Sequence, residues 1–339
     1  MPNYLNSVKI DSILKVVHEL CIDCDLSVSY LCERTGFSSF TILKILKILT
    51  EMDFVSHTKS KILKNEMKLN HFYIKNSYNS IAIDLSSETF DMYVVKPGRR
   101  VRKIYHYGYE NSMSFEENID SFIKNSKYSC RKTSISRNTG TYVLLPSSTD
   151  VTGTKILSPI YDDTNDTPLP DIIRKLTYSK VASYEDYRIS HVRSIQKMMS
   201  NDDLALVLFL DKTRFSSCIF ANNTENIKIS NLGEQYKTNN IKFIDNVMDL
   251  QSPNETVETF AQIISNMHNA LAFTHVYLLG NYIPHMNLLV DMIRDRVNTD
   301  IPSLILPPYM KTEQLLEFHL QSMIYNHIKG IILDKQVDK

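Results

Sequence analysis

The sequence predicts an α+β multidomain protein, with a small N-terminal domain of helices and a hairpin followed by a larger body of two α/β lobes. Three observations support that division. Residues 8–55 carry helical apolar periodicity broken by a glycine, residues 76–80 (NSYNS) form a short polar break, and beyond it strands and helices alternate along the rest of the 339-residue chain.

The stretch 31–55, LCERTGFSSFTILKILKILTEMDFV, reads as two short helices joined by a tight turn. A helix over 27–35 ends at Gly36, a residue that tolerates the backbone of a sharp interhelical turn. Ser38 then offers a side-chain oxygen to cap the next helix. In that helix Ile42, Ile45, Leu46 and Leu49 recur at helical spacing and bury one face, leaving Ser39, Thr41, Lys44 and Lys47 for the other, with no acid before Glu51. Short hydroxyls near the helix N-terminus suit base edges and the lysines suit phosphates, so Ser38, Ser39, Thr41, Lys44 and Lys47 are candidate DNA contacts. A helix over 8–21, with Val8, Ile10, Ile13, Leu14, Val17 and Leu20 on one stripe, would pack behind this pair.

The following segment, SHTKSKILKNEMKLNHFYIK (56–75), sets Lys59, Lys61, Lys64, Lys68 and Lys75 against Glu66 alone. With Phe72, Tyr73 and Ile74 as a strand it fits the β-wing of a winged helix-turn-helix, and Lys59 and Lys61 fall where a wing tip meets the phosphate backbone. The same residues also fit a small helical hairpin followed by a solvated basic linker, with no DNA role.

Composition narrows the alternatives. Lys+Arg and Asp+Glu balance at 38 each, so any nucleic-acid contact must come from a local patch. The chain has only eight glycines, far fewer than the ~7% of an average protein. Gly-rich loops bring backbone N–H groups to phosphate, so a nucleotide-using enzyme is disfavoured. The first twelve residues lack the apolar core of a secretory signal, and the densest apolar run, 204–210, is too short to span a bilayer. The five cysteines, an odd and scattered set, do not form a disulfide framework. Cys21 and Cys24 make a CxxC without a second pair, and the ten histidines show no ligand spacing, so no metal site is expected. A cytoplasmic, reduced protein follows.

Beyond residue 76 the chain alternates. Strands are expected at 81–85, 86–95, 142–145, 180–183, 204–210, 215–220, 227–229, 275–279 and 304–306, with a hairpin turn at Thr152-Gly153. Helices are expected at 114–124, 169–176, 188–199, 257–271, 285–297 and 312–328. Two successive units of strand, hairpin, helix and strand open at Ile81 and Leu204. Preceded by a winged helix, this order resembles the ROK family of repressors and sugar kinases, which have an actin-like, ribonuclease-H-like fold. IDLSSETF (83–90) stands where the family has Asp followed by Gly-Gly-Thr, its first phosphate loop. YVLLPSSTDVTGTKILSP (142–159) stands for its apolar strand, Pro-Gly loop and Gly turn. VASYED (181–186) stands for the strand whose final Asp is the family's catalytic base. ISNLGEQYK (229–237) resembles the Gly-Glu-x-Gly-His segment, and HVYLLGN (275–281) the adenosine-side strand and Gly-Gly turn.

The departures carry as much information. Ser86 and Ser87 replace the phosphate-loop glycines, the second lobe's loop (DKTRFSS, 211–217) has none, and Tyr236 and Lys237 replace the Gly and the sugar- and zinc-binding His. The Cys-rich zinc loop is absent, and one of two glycines survives at Gly280. The resemblance therefore implies a regulator whose actin-like body keeps the fold and has lost phosphotransfer, with no catalytic residue and no cofactor. The expected domains are 1–75 (winged helix), 76–186 (first lobe, completed by a C-terminal helix at 312–330) and 187–311 (second lobe). The expected partners are a double-stranded DNA operator, a second copy in a homodimer, and a sugar or sugar-derived effector held by Glu185, Asp186 and Glu234. No membrane contact is expected. A sugar kinase with a DNA-binding appendage, and a partner-binding scaffold without a DNA role, are the alternatives.

Overall fold

The computed structural model describes residues 8–59, 70–86, 89–98, 101–131, 140–146, 168–176, 181–200, 203–211, 214–221, 224, 227, 230–231, 253–279, 286–308, 310 and 312–337. The chain divides into two compact units. Unit 1 comprises residues 1–157, 161–185 and 320–339, and unit 2 comprises residues 158–160 and 186–319.

Unit 1 begins with helices α1 (Ile10–Ile22), α2 (Val28–Thr35) and α3 (Ser39–Glu51) and the short strand β1 (Leu26–Ser27). Strands β2 (Val55–Lys59) and β3 (Asn70–Ile74) complete an antiparallel sheet in the order β1-β3-β2. The apolar stripes on α1 and α3 meet in one core: Ile13, Val17, Leu20, Leu31, Ile42, Ile45, Leu46 and Leu49 are all buried. Each such side chain contributes roughly 1.5–3 kcal/mol, which outweighs the weak intrinsic preference of these short helices. Lys15 donates from Nζ to the Thr35 carbonyl at 2.8 Å, placing a cation on the C-terminal end of α2. Arg34 Nε reaches Glu19 at 3.1 Å and ties α2 to α1.

The polar break at 76–79 is not an exposed linker. It forms one 3₁₀ turn in which Tyr78 stacks on Phe54 at 4.7 Å, and Tyr78 and Asn79 are buried. Composition suggested a loop, whereas packing against the N-terminal core pins the segment inside unit 1. A second contact lies at Gly98, whose N–H donates to the Cys21 carbonyl at 2.7 Å.

The rest of unit 1 is built on β4 (Ser80–Asp84), β5 (Thr89–Val95), β6 (Arg102–Gly108), β7 (Gly140–Leu145) and β8 (Val181–Asp186), in the order β6-β5-β4-β7-β8. β4, β5 and β6 run antiparallel in succession, and β7 lies parallel to β4. Every residue of β7 is buried, as expected of a strand covered on both faces. Helices α4 (Phe115–Arg131) and α5 (Leu169–Leu176) accompany this sheet. Strand β6 was not expected from sequence, and α4 runs past residue 124, where its expected end lay.

Unit 2 repeats the pattern with α6 (Tyr187–Gln196), β9 (Leu204–Asp211), β10 (Arg214–Ala221), β11 (Ser230–Asn231), α7 (Pro253–Leu271), β12 (His275–Leu279) and α8 (Met286–Asp300). Its sheet has the order β11-β10-β9-β12, antiparallel except for the parallel β9–β12 pair. The continuous apolar run LALVLFL feeds two cores, because alternate side chains of a strand face opposite ways. Leu206 and Leu208 join Val276 and Leu278 in the core with Phe260, Ile264 and Ile293, and Ala205, Val207 and Phe209 join Tyr277 and Leu279 in the core with Val192 and Ile195. Pairing is described at 230–231, whereas residues 228 and 229 of the strand expected at 227–229 lie outside the described residues, and the strand expected at 304–306 reduces to one bridge, Ile305 to His275. The helix α9 (Thr312–Val337) starts in unit 2 and continues into unit 1. The turn expected at 152–153 lies outside the described residues. Among the described residues, no helix is long and apolar enough to cross a membrane.

Candidate functional site

The first candidate site is the outer face of α3. Gly36 closes α2 in the left-handed region at φ 74°, a conformation that L side chains rarely adopt. Two residues on, Ser38 Oγ accepts the Thr41 N–H at 3.2 Å and caps α3. Ser38 Oγ also lies 2.9 Å from Thr41 Oγ1, so both hydroxyls are engaged in building the helix start. Ser39 is exposed, Thr41 and Lys44 are half-buried, and Lys47 is exposed, 3.9 Å from Glu51 one turn on. Ile42, Ile45, Leu46 and Leu49 all point into the core, as their spacing requires.

The outer face also carries two residues that polar patterning does not nominate, Phe40 and Leu43. At about 100° per residue, positions 40, 43, 44 and 47 fall on one side of α3, opposite the buried stripe. Their helical spacing was the signal in the sequence that could have found them. Lys59 ends β2, where its backbone pairs with Asn70. Lys61, Lys64 and Lys68 lie outside the described residues. Lys75 Nζ is ion-paired with Asp53.

The second candidate site is in the body. Asp84, the acid at the end of β4, accepts the Ser86 N–H at 2.9 Å, and burial pushes its carboxyl above the usual range. Across the hairpin it faces Asp91, which takes hydrogen bonds from Lys103 Nζ and His106 Nδ1, each at 2.7 Å. Ser86 is buried.

Asp186 ends β8 and caps α6, accepting the Arg188 N–H at 2.9 Å. The Arg188 guanidinium folds back onto the same carboxylate, with Nε 3.0 Å from Oδ1 and Nη2 2.7 Å from Oδ2. Arg188 Nη1 continues to Ser216 Oγ at 3.0 Å, and both charged residues are buried. A general base must present a lone pair to the substrate proton. This carboxylate instead faces a bidentate cation and a backbone donor, and sequence reading missed Arg188 because spacing alone does not reveal such a fold-back.

Beside the pair sits His191, whose Nδ1 lies 3.2 Å from Ser190 Oγ. Burial, and secondarily the charge of His319, push its pKa down to about 3, while Asp186 opposes them. Glu185 is the half-buried neighbour of Asp186 on β8, and Glu234 lies outside the described residues. Glu185 and Asp186 are consecutive at the end of β8. Among the described residues there is no group of three His, Cys, Asp or Glu side chains arranged to hold a metal ion. The Cys21 thiol is buried, which raises its pKa.

No family model and no curated protein sequence matches the chain. Solved structures do. A ROK family transcriptional regulator, a homologue of the E. coli Mlc protein, is 10% identical, with 95% of this chain and 98% of that one covered at a TM-score of 0.58. Glucokinase from Balamuthia mandrillaris, solved in complex with glucose, is 9% identical, with 73% of this chain and 93% of that one covered at a TM-score of 0.51. The chain therefore has the fold of ROK family proteins, and the mixed sheets of its body fit an actin-like architecture.

Proposed function

We infer that this protein is a DNA-binding transcriptional regulator of ROK type whose body does not transfer phosphate. The observation that carries the first half is the outer face of α3. A Ser38-capped helix, set after a Gly36 turn and supported by α1 and α2, presents Ser39, Lys44 and Lys47 outward. The β1-β3-β2 sheet supports reading this domain as a winged helix-turn-helix. The regulator match over 95% of 339 residues leaves too few unmatched residues to omit the N-terminal helices, whereas the glucokinase match over 73% leaves enough. Lys59 and Lys61 are the wing residues assigned to the phosphate backbone.

The non-catalytic half rests on Asp186. Phosphoryl transfer needs a phosphate cradle and a free base to position the reacting groups. Arg188 occupies the carboxylate of that base, and Ser86 replaces cradle backbone. The domains are assigned as a winged helix at 1–75, a first lobe at 76–186 completed by the C-terminal helix at 312–330, and a second lobe at 187–311. The protein acts in the cytoplasm as a homodimer, since one winged helix contacts too little DNA to be specific and pairs span two half-sites. Glu185 and Glu234 are assigned to the hydroxyls of a sugar-type effector, with Asp186 contributing only if Arg188 releases it.

Recovery of a discrete set of genomic fragments by the full-length protein tests the first half. Calorimetry with MgATP and a panel of hexoses and amino sugars tests the second. No sugar-dependent ADP release is expected, and release by the wild-type protein above background would establish a kinase instead.

A further inference from the structure

The outward side of α3 is apolar at its centre. Phe40 is 77% exposed and Leu43 is 52% exposed, one turn apart and flanked by Lys44 and Lys47. The core beneath is already filled by Ile42, Ile45, Leu46, Ile48 and Leu49, so neither side chain supports the fold. Segment 36–50 contains no acid. Whatever covers this face must be apolar in the middle and anionic at its rim.

Duplex DNA has that pattern. In the major groove the thymine C5-methyl group is the apolar feature of the base edges, and phosphates line both sides. The hydroxyls of Ser38 and Thr41 are turned to the helix cap, which leaves Ser39 as the short polar group at the entry of the helix. Recognition by this helix is therefore weighted toward apolar contact and away from hydrogen bonding. We propose that Phe40 and Leu43 are specificity-determining residues that read thymine methyl groups in the major groove. The proposal rests on the DNA-binding function inferred above and adds to it the feature of the operator that is read.

The test uses the full-length protein and a duplex selected by it from a random-sequence library. That duplex is made again with uracil in place of thymine, which removes the methyl groups and keeps every hydrogen-bonding edge. Anisotropy titrations should show binding weakened about fourfold for each contacted methyl, the equivalent of the ~0.8 kcal/mol of one buried CH₂ group. Phe40→Ala and Leu43→Ala should each bind thymine and uracil duplexes more nearly alike while keeping the wild-type salt dependence. Equal wild-type affinity for the two duplexes overturns the proposal and leaves DNA binding intact. Failure to select any duplex overturns both and turns this face into a protein-docking surface. Because the thymine–uracil comparison is made on the wild type, it holds even if a variant folds poorly.

Discussion

Arg188 grips Asp186 through two guanidinium nitrogens, at 3.0 and 2.7 Å, in a site from which solvent is almost wholly excluded. The two residues are separated by Tyr187 alone. Asp186 caps α6 and also neutralises the cation that reaches across to Ser216 on β10. The Asp186 carboxylate thus serves as structure.

Removing one partner leaves the other charged and buried without compensation. Arg188→Met should therefore destabilise the protein by about 3–5 kcal/mol. The double variant Asp186→Leu with Arg188→Met should recover much of that loss, because no orphaned charge remains, although the cap of α6 is then absent. Urea unfolding of the wild type, Asp186→Leu, Arg188→Met and the double variant measures the coupling. A single variant as stable as the wild type would show that the pair has no structural role.

His191 makes stability depend on pH. Burial depresses its pKa from 6.5 in the unfolded chain to about 3 in the folded one. The folded state therefore binds fewer protons, and the contribution of this group is fully present above pH 6.5 and is lost as pH falls toward 3. Between those limits the slope is about 1.4 kcal/mol per pH unit for a single proton. His191→Gln should flatten the fall in urea midpoint between neutral and acidic buffers. Identical pH profiles for variant and wild type would mean that His191 is not held neutral.

Two glycines with similar backbone angles should respond differently to alanine. Gly36, at φ 74°, has nothing within 4 Å of the position an alanine methyl would take, so Gly36→Ala should cost only the left-handed strain of ~1–2 kcal/mol. Gly98, at φ 64°, would place its Cβ 2.5 Å from the Asp23 carbonyl carbon and 2.6 Å from the Cys24 nitrogen. Backbone cannot yield as a flexible side chain does, so Gly98→Ala should cost clearly more and expose 21–25 to protease. Equal melting temperatures for the two variants would contradict the close approach at Gly98.

Local signals made the N-terminal helices legible. Gly36 and Ser38 sit at a turn and a cap whose chemistry acts over three or four residues, and each takes that role in the structure. The β9 run was equally plain because a strand buried on both faces is apolar throughout. Strand β6 escaped notice because it is a largely exposed edge opening with Arg102 and Lys103. Its anchoring depends on Lys103 and His106 meeting Asp91 across the hairpin, a contact that no local pattern encodes. The polarity of 76–79 misled for a related reason: Tyr78 finds Phe54, more than twenty residues away. Asp186 was legible as a candidate base and Arg188 was not, since the fold-back of a side chain two residues on leaves no trace in periodicity. Phe40, by contrast, stood at helical spacing from Lys44 and Lys47 and was open to detection.

DNA binding through α3 is the central claim, and its salt dependence tests it most directly. A duplex recovered by the full-length protein is titrated by anisotropy across a salt series with the wild type and with the Lys44→Ala, Lys47→Ala double variant. If each lysine meets a phosphate, the double variant should bind more weakly and lower the slope of log K against log salt by about 1.8, from ~0.9 per phosphate contact. Unchanged affinity and slope in the double variant would contradict the assignment of α3 as the recognition helix.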